Sequence, residues 1–323
     1  MTAAATAGEQ QRWRLKAELE EAIRRERRAV LIVNTRSRCG ARAYSEAKRL
    51  MQQSGLTLDA AYPVRDPARL REVVAQAVAQ GHRFIVVGGG DGTISSAVDA
   101  FAYRDVVFGL LPLGTANSFA RTLSIPLDLA GAVAVLAGGK VVDIDLGKIN
   151  DDYFANAASI GLPAAIARGM PHRLKKVLGR AGYLLVAGAR LATFKAFRCT
   201  IEVEGEGTKV FEAALELRIA NGPYKGGILV AEEASLESRE LVVHVVKGAS
   251  RATIAKVWAK FAAGIRPGPS DLESFSAKTL VVDTEPRQYV SIDGEAVAHT
   301  PIRVSVAREA LRIMVPQERD DLS

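Results

Sequence analysis

The spacing of apolar and polar positions changes along the chain, and from residue 29 to about residue 111 segments of two kinds alternate. Short apolar runs, of which 29–34 is apolar up to its last residue and 58–62 is weaker, are typical of strands buried on both faces, and the segments between them have the 3.6-residue period of a helix. Alternation of strand and helix with short links indicates a parallel sheet of the α/β class. The predicted strands are 29–34, 58–62, 83–87 and 106–111, and the predicted helices are 43–54, 67–80 and 93–103.

Near residue 138 the pattern becomes one of strand-like alternation, interrupted by two helical segments at about 164–195 and 251–264. Runs of strands with turn signals between them favour an antiparallel, sandwich-like second domain. The last two apolar strands, IRVSVA and ALRIMVP, follow this domain. Periodicity alone does not assign them to either domain.

The first thirty residues are dominated by charge. Residues 9–28 have a thin apolar seam among many charged positions, which predicts a charged helix. We expect residues 1–28 to form a solvated leader helix outside the first domain. The seam consists of Trp13, Leu15, Leu19 and Ile23.

Composition narrows the class of protein. Of the 323 residues, 48% are apolar and 24% charged, as in a globular protein. Lys and Arg exceed Asp and Glu by 43 − 36 = 7, which favours anionic ligands such as phosphate or an acidic membrane face. Aromatic residues make up only 6% and do not alternate with basic ones, so we expect no nucleic-acid partner. The two cysteines, and the lack of a signal-peptide core or a long apolar run, favour a cytoplasmic protein.

The stretch VVGGGDGT (86–93) places four glycines around one carboxylate at the junction of a strand and a helix. Glycine lets a ligand approach the main chain closely, and successive N–H groups before a helix bind anions. We expect Thr93 at the N-cap of this helix. Asp91 would repel phosphate unless a metal ion or a transferable proton intervenes. The stretch predicts a phosphate site, and the absence of GxxxxGK[ST] excludes a P-loop.

A second polar loop, GLLPLGTANSFARTL (109–123), also follows an apolar strand and precedes a helical segment. Gly114, Thr115 and Asn117 offer a turn, a hydroxyl and an amide. Because adjacent parallel strands open at their carboxyl ends to one crevice, the two loops are predicted to clasp a nucleotide triphosphate. Simple helix capping is the alternative for Thr115 and Asn117.

These two loops, together with SIDGE near the C-terminus, resemble the diacylglycerol-kinase catalytic family, which includes bacterial diacylglycerol and YegS-like lipid kinases and is related to sphingosine and ceramide kinases. The likeness runs from about residue 29 to 316. It implies an α/β nucleotide-binding domain (29–138 plus about 305–318), a β-rich lipid-substrate domain (139–304), and an active site in the cleft between them. It also implies transfer of the γ-phosphoryl group of ATP, with Mg²⁺, to the hydroxyl of diacylglycerol or a related lipid alcohol.

The resemblance assigns residues by position in the motifs. It implies that Asp91 and Glu295 are catalytic and lie near the transferring phosphoryl group, and that Asp91 holds the metal directly or through water. The implied nucleotide-binding residues are Asn34, Arg36, Arg38, Gly88, Gly89, Gly90, Gly92, Thr93, Gly114, Thr115, Asn117, Asp293 and Gly294. Taken alone, the DGE of residues 293–295 is also a good hairpin turn.

The sequence departs from the family pattern at three places. Ser118 stands where the second loop usually has an acid. In the stretch 222–241 an Asp-Asp-Gly-Leu-like sequence is usual; here Glu237 is the expected metal ligand and Ser238 replaces the second acid. Arginines in 36–38 replace the usual lysine, and arginine can grip phosphate in bidentate fashion. The accessory metal site and the catalytic base therefore stay open.

The lipid-binding face is predicted from the basic, apolar-edged segment 170–194, which contains Arg173, Lys175 and Lys176. Such a helix suits transient contact with an anionic membrane surface, and the alternative is packing in the core of the second domain. We therefore expect peripheral membrane association. The oligomeric state stays open, with a homodimer as one option.

Two other functions compete with a lipid kinase. A soluble kinase of NAD would share the GGDGT loop, although LPLGTAN favours the lipid kinases. A nucleotide- or lipid-binding protein without turnover is the third hypothesis, which Ser118 and Ser238 keep open.

Overall fold

A computed structural model describes residues 7–36, 40–169, 188–293 and 295–319. The chain forms two compact units: unit 1 comprises residues 1–145 and 308–323, and unit 2 comprises residues 146–307. Each unit has its own sheet pattern, and strands β5 (Lys140–Ile149) and β17 (Ile302–Val315) contribute residues to both.

Unit 1 is built on a parallel sheet, which confirms the predicted α/β class. Its elements are α1 (Ala7–Glu26), β1 (Arg28–Asn34), α2 (Gly40–Gln53), β2 (Thr57–Val64), α3 (Pro67–Ala79), β3 (Phe84–Gly89), α4 (Asp91–Phe101), β4 (Val107–Pro112), α5 (Ser118–Thr122) and α6 (Leu129–Gly138). The strand order is β17–β4–β3–β1–β2. The strands β3 and β4 are buried at every position, as their uninterrupted apolar runs predict.

Helix α1 belongs to unit 1, so the expectation of a solvated leader was wrong. Leu19 and Ile23 of the apolar seam are buried, and each such side chain contributes about 1.5–3 kcal/mol. Ion pairs join the polar side of the helix to the same unit, from Arg12 to Glu309 at 3.1 Å and from Lys16 to Asp143 at 3.8 Å. A thin seam therefore suffices to dock a highly charged helix.

Unit 2 is an antiparallel β structure, as predicted. Its elements are β6 (Asp152–Phe154), β7 (Ala157–Gly161), α7 (Leu162–Gly169), β8 (Phe197–Val203), β9 (Gly207–Ala220), β10 (Tyr224–Lys225), β11 (Ile228–Leu229), β12 (Leu241–Lys247), α8 (Arg251–Ala262), β13 (Leu272–Ala277), β14 (Thr279–Glu285), β15 (Tyr289–Ile292) and β16 (Glu295–His299). The long strand β9 pairs with β8 through its first half and with both β7 and β12 through its second half.

The two C-terminal apolar runs form one strand rather than two. In unit 2, residues 302–305 of β17 pair antiparallel with β14. In unit 1, Arg312 and Ile313 pair in parallel with β4. The chain thus returns to the parallel sheet through β17.

The predicted helical segment 164–195 is described only at its two ends. Helix α7 covers its beginning, residues 188–193 are helical, and residues 170–187 lie outside the described residues. The predicted membrane-contact segment therefore falls largely outside them. Across the described ranges, no helix has both the length and the apolar character needed to span a membrane.

Candidate functional site

The predicted nucleotide loops of unit 1 lie where three parallel strands end. Strand β1 ends at Asn34, β3 at Gly89 and β4 at Pro112, and the register pairs Gly89 with Pro112. Because the strands are neighbours and parallel, their carboxyl ends meet at one edge of the sheet. The structure therefore brings together the two loops that the sequence singled out.

Side chains at the end of β1 connect to the first turn of α4. Asn34 donates a hydrogen bond from Nδ2 to Thr93 Oγ1 at 2.9 Å, and its Oδ1 accepts the N–H of Arg36 at 3.0 Å. Arg36 is exposed at the surface, and Arg38 lies outside the described residues. Asn34, Thr93 and Arg36 thus lie next to one another, as a shared site requires.

Helix α4 begins at Asp91, with Gly90 at the N-cap, so the prediction that Thr93 is the N-cap was wrong. Thr93 instead lies within the first turn, where its N–H donates to the Gly90 carbonyl at 2.8 Å. Glycine has no side chain that could cap the helix, and the N–H groups of Asp91 and Gly92 have no intrahelical acceptor. The helix therefore presents main-chain donors at its positive end, which suits a phosphate group.

The two glycine loops touch through their backbones. A Cβ on Gly114 would lie 2.5 Å from the Cα of Gly90, and a Cβ on Gly89 would lie 2.4 Å from the Cβ of Thr93. Neither Gly90 nor Gly114 has a positive φ. Close packing of loop against loop, rather than an unusual backbone conformation, is therefore why these positions need glycine.

Asp91 connects the first loop to the second. Its Oδ1 accepts the N–H of Ser118 at 2.6 Å, which fixes the half-buried carboxylate at the start of α5. Ser118 therefore contributes a main-chain donor at the position where the family usually has an acid. No sequence motif could indicate this contact, because the donor is a backbone group.

Asn117 closes the second loop on itself. This residue has a left-handed backbone conformation (φ 48°), its Oδ1 accepts the Gly114 N–H at 2.8 Å, and its Nδ2 donates to the Gly114 carbonyl at 3.0 Å. Gly114 and Thr115 are exposed beside it. The amide of Asn117 thus holds the loop in shape, which leaves Gly114 and Thr115 as the accessible positions.

A small cavity of about 10 Å³ lies beneath the loops. Such a volume has room for about one water molecule. It is too small for a nucleotide. Its lining residues include Gly90, Asp91, Ile94, Asn117 and Phe119.

In unit 2 the acidic motif near the C-terminus begins with a fully engaged carboxylate. Asp293 has a positive φ of 46°, and its two oxygens accept the N–H groups of Ala155, Asn156 and Ala157 at 3.0–3.2 Å. Glu295 begins strand β16, whereas Gly294 and the side chain of Glu295 are not described. Asp293 thus organises the chain before β7, which agrees with the interpretation of the motif as a turn.

The expected accessory metal ligand lies in a turn. The N–H of Glu237 donates to Ser235 Oγ at 3.3 Å, and Ser238 Oγ donates to the Ser235 carbonyl at 2.9 Å. Among the residues that the structure describes, no group of three or more His, Cys, Asp or Glu side chains is placed to hold a metal ion. The role of Glu237 stays a prediction.

An ionic cluster in unit 2 was missed by sequence reasoning. Glu216 and Arg218 are buried on β9, with Arg218 Nη2 2.5 Å from Glu216 Oε1, and Trp258 Nε1 donates to the other oxygen of Glu216 at 2.7 Å. Lys225 joins them, with Nζ hydrogen-bonded to Ser159 Oγ. The only signal in the sequence was the alternation of Glu216 and Arg218 within the otherwise apolar second half of strand β9.

Comparison with known proteins matches both units. Residues 28–149 match the diacylglycerol kinase catalytic domain, and residues 156–315 match the YegS C-terminal NAD kinase beta sandwich-like domain. Over 241 residues the chain is 32% identical to a Klebsiella pneumoniae protein named "Probable lipid kinase YegS-like", covering 72% of this chain and 78% of that one. A Pseudomonas putida protein of the same name is 38% identical over 181 residues, or 55% of this chain and 59% of the relative.

Solved structures agree on the fold. A crystal structure of a diacylglycerol kinase from Bacillus anthracis strain Sterne matches with a TM-score of 0.68 at 20% identity, covering 90% of this chain and 97% of that one. A second structure from the same strain matches with a TM-score of 0.75 at 23% identity, covering 90% and 95%. Together with the two domain matches and the loops around Asp91, these comparisons show that the chain belongs to the diacylglycerol-kinase catalytic family, among the YegS-like lipid kinases.

Proposed function

We propose that this protein is an ATP-dependent lipid kinase that transfers the γ-phosphoryl group to a lipid hydroxyl, that of diacylglycerol or a related lipid alcohol. The observation that carries the proposal is the placement of Asp91 in the first turn of α4, next to main-chain donors without intrahelical acceptors. Phosphoryl transfer depends chiefly on positioning and on charge stabilisation, which this arrangement offers.

Nucleotide binding is assigned to the loop edge of unit 1. The N–H groups of Asp91 and Gly92 would hold phosphate oxygens, while the exposed Gly114 and Thr115 would contact the nucleotide from the second loop. Exposed Arg36 would offset the phosphate charge. The Asn34–Thr93 hydrogen bond keeps the strand end and the helix start in register.

The residues around Asp91 fit Mg²⁺ that arrives with the nucleotide. Mg²⁺ retains several waters and binds one or two carboxylates together with substrate phosphates, rather than a cage of protein ligands. One oxygen of Asp91 is engaged by Ser118, so the other is the one that would hold the ion, directly or through water. When bound, the ion would neutralise charge on the phosphates.

The proton of the acceptor hydroxyl leaves as the phosphoryl group is transferred, and a carboxylate beside the reacting oxygen can accept it. Asp91 and Glu295 are the proposed catalytic residues, on the strength of the family motifs. Peripheral contact with an anionic membrane is proposed as a consequence of the proposed lipid acceptor, because such a substrate resides in a bilayer.

One experiment tests the proposal against its rivals. The protein is incubated with ATP labelled at the γ-phosphate and Mg²⁺, and separately with a total lipid extract or with NAD. We expect label in a lipid product. Label in NADP would replace the lipid kinase with an NAD kinase, and ATP binding without any labelled product would favour a binding protein.

A further inference from the structure

The ionic cluster of unit 2 contains more cationic donors than it uses. Both oxygens of Glu216 are taken, one by Arg218 and one by Trp258. The carboxylate oxygens of Asp293 already accept three main-chain N–H groups. The remaining member, Lys225, has an ammonium with three donors, and within the described residues it lies within 4 Å of no carboxylate and bonds only to Ser159.

The charged groups around Lys225 do not fully balance the positive charge of its ammonium. Burial is the largest cause that lowers the pKa of Lys225 to about 8, and the neighbouring Arg218 lowers it further, against the opposing effects of Glu216 and Asp293. The same cluster keeps Glu216 ionised: although burial opposes this, Arg218 and Lys225 hold the pKa of Glu216 below its usual range. An added anion near Lys225 would be stabilised by both cations.

The backbone places this amine beside the acidic motif. Glycines 226 and 227 follow Lys225 with φ values of 61° and 80°, so the β10–β11 hairpin turns back directly after Lys225. Ser159, its partner, pairs in register with Ser291, two residues before Asp293. The ammonium of Lys225 and the hydroxyl of Ser159 are therefore adjacent, and two such donors can both bind a phosphate oxygen.

We propose that Lys225 and Ser159 form an oxyanion subsite in unit 2 that binds a phosphate group, with Arg218 behind it as a supporting charge. The ligand chemistry is a phosphate monoester or diester. It can come from the nucleotide or from a lipid that carries phosphate, either as acceptor or as product. The proposal builds on the proposed kinase function only for the choice of these ligands.

Nuclear magnetic resonance of the full chain labelled with ¹³C-lysine tests the subsite. The Lys225 Cε signal, assigned with the Lys225→Arg variant, is followed from pH 6 to 10 with inorganic phosphate, a non-hydrolysable ATP analogue with Mg²⁺, dioctanoyl phosphatidic acid, or neutral dioctanoylglycerol. We expect a phosphate ligand to raise the pKa of Lys225 by about one unit or more, since an opposite charge favours the ammonium. The ligand that does so at the lowest concentration identifies the source of the phosphate.

Variants supply the affinity measurement. Lys225→Met is expected to weaken binding of that ligand about tenfold or more, as for the loss of a hydrogen bond to a charged group, while Lys225→Arg retains some of the affinity. Lys278→Met, which removes an exposed lysine of the same unit, is the matched control and should change nothing. If Lys225→Met does not fold, Ser159→Ala is used for the affinity measurement instead. The NMR titration does not depend on either variant, because it is done on the unmodified protein.

The outcomes separate the subsite from the kinase function. A Lys225 signal that ignores every phosphate ligand, or that responds equally to neutral dioctanoylglycerol, overturns the subsite even if the protein is an active lipid kinase. Conversely, phosphate binding at Lys225 without any phosphorylated lipid would retain the subsite and refute the proposed function.

Discussion

At the scale of single residues, the candidate site depends on main-chain groups that side chains hold in place. Asp91 is fixed by the N–H of Ser118, and Gly114 is fixed by both ends of the Asn117 amide. The carboxylate of Asp91 orders the second loop through one oxygen. In the proposed kinase its negative charge would have a second, separable role, which is to hold the metal ion that accompanies the phosphates.

Replacing Asp91 by asparagine separates these roles. The amide oxygen can still accept the Ser118 N–H, so the loops should keep their arrangement, but the negative charge is lost. We expect Asp91→Asn to lower the rate of phosphoryl transfer by roughly 10²–10³, as for other preorganised charged groups. Asp91→Ala should lose the same activity and also the loop contact, which lowers thermal stability.

Single-turnover transfer from labelled ATP measures the first effect, and thermal unfolding measures the second. Asp151→Asn, a change at an exposed acid, is the control and should leave both unchanged. Activity of Asp91→Asn close to that of the unmodified protein would show that the charge of Asp91 is not needed.

Residue types could be predicted at this scale better than residue contacts. The motifs led to Asp91, Asn34 and Thr93, which the structure places at one edge of the sheet. They could not reveal the Ser118 N–H, because every residue but proline has one. Lys225 was missed because its neighbours Ser159 and Arg218 come together only through strand pairing.

At the scale of elements, the site is a contact between two loops that follow neighbouring strands. Gly90 and Gly114 approach so closely that a Cβ on Gly114 would lie 2.5 Å from the Gly90 Cα, and a Cβ on Gly90 would lie 3.1 Å from the Gly114 Cα. The spacing of these loops thus depends on β3 and β4 lying side by side in parallel register. Apolar runs predicted these strands, but their order in the sheet became visible only in the structure.

Adding one methyl group at Gly114 tests this packing. A Cβ on residue 114 would lie 2.5 Å from the Gly90 Cα and 2.7 Å from Asn117 Oδ1. The Gly90 Cα belongs to the backbone, so it cannot rotate away as a side-chain atom could. We expect Gly114→Ala to raise the KM for the nucleotide and to destabilise unit 1 by about 1–3 kcal/mol, as other overpacked positions do.

Gly138→Ala is the matched control, because no atom lies within 4 Å of its Cβ position at the end of α6. That variant should keep the KM and be neutral or slightly stabilising, since alanine favours a helix over glycine. Equal KM values for the two variants would contradict the idea that loop contact sets the nucleotide site.

At the scale of the whole molecule, one buried titratable group in each unit responds to acid, and the two respond in opposite directions. In unit 1, burial raises the pKa of Asp143, against the charges of Lys16 and Arg312. In unit 2, burial lowers the pKa of His244, against its contact with Glu233. The α/β and β-rich classes could be predicted from periodicity, but these shifts could not, because they arise from burial of single charges in the folded units.

The acid-sensitive contact of unit 2 joins the turn after β11 to the sheet. Glu233 Oε1 lies 3.0 Å from His244 Nε2 and accepts hydrogen bonds from Arg266 and Ser274, each at 2.9 Å. Burial alone would raise the pKa of Glu233, but hydrogen bonds from His244, from the backbone N–H of Glu233 and from Ser274 outweigh it and lower that pKa to about 2. Arg218 and Arg266 also act on His244 and disfavour its protonation.

Acidification should therefore weaken unit 2 first. Below about pH 6.5 the unfolded chain takes up a proton at His244 that the folded unit resists, so stability falls. From about pH 4.5 towards 2 the stabilisation from ionised Glu233 is lost as well. Asp143 takes up its proton more readily in the folded state than in the unfolded chain, so acid favours folded unit 1 at that position.

Hydrogen exchange followed by mass spectrometry, which reports peptides of each unit separately, should show unit 2 losing protection at a higher pH than unit 1. In Glu233→Gln the loss below pH 4.5 should be smaller, and simultaneous loss in both units, unchanged by this variant, would refute the assignment.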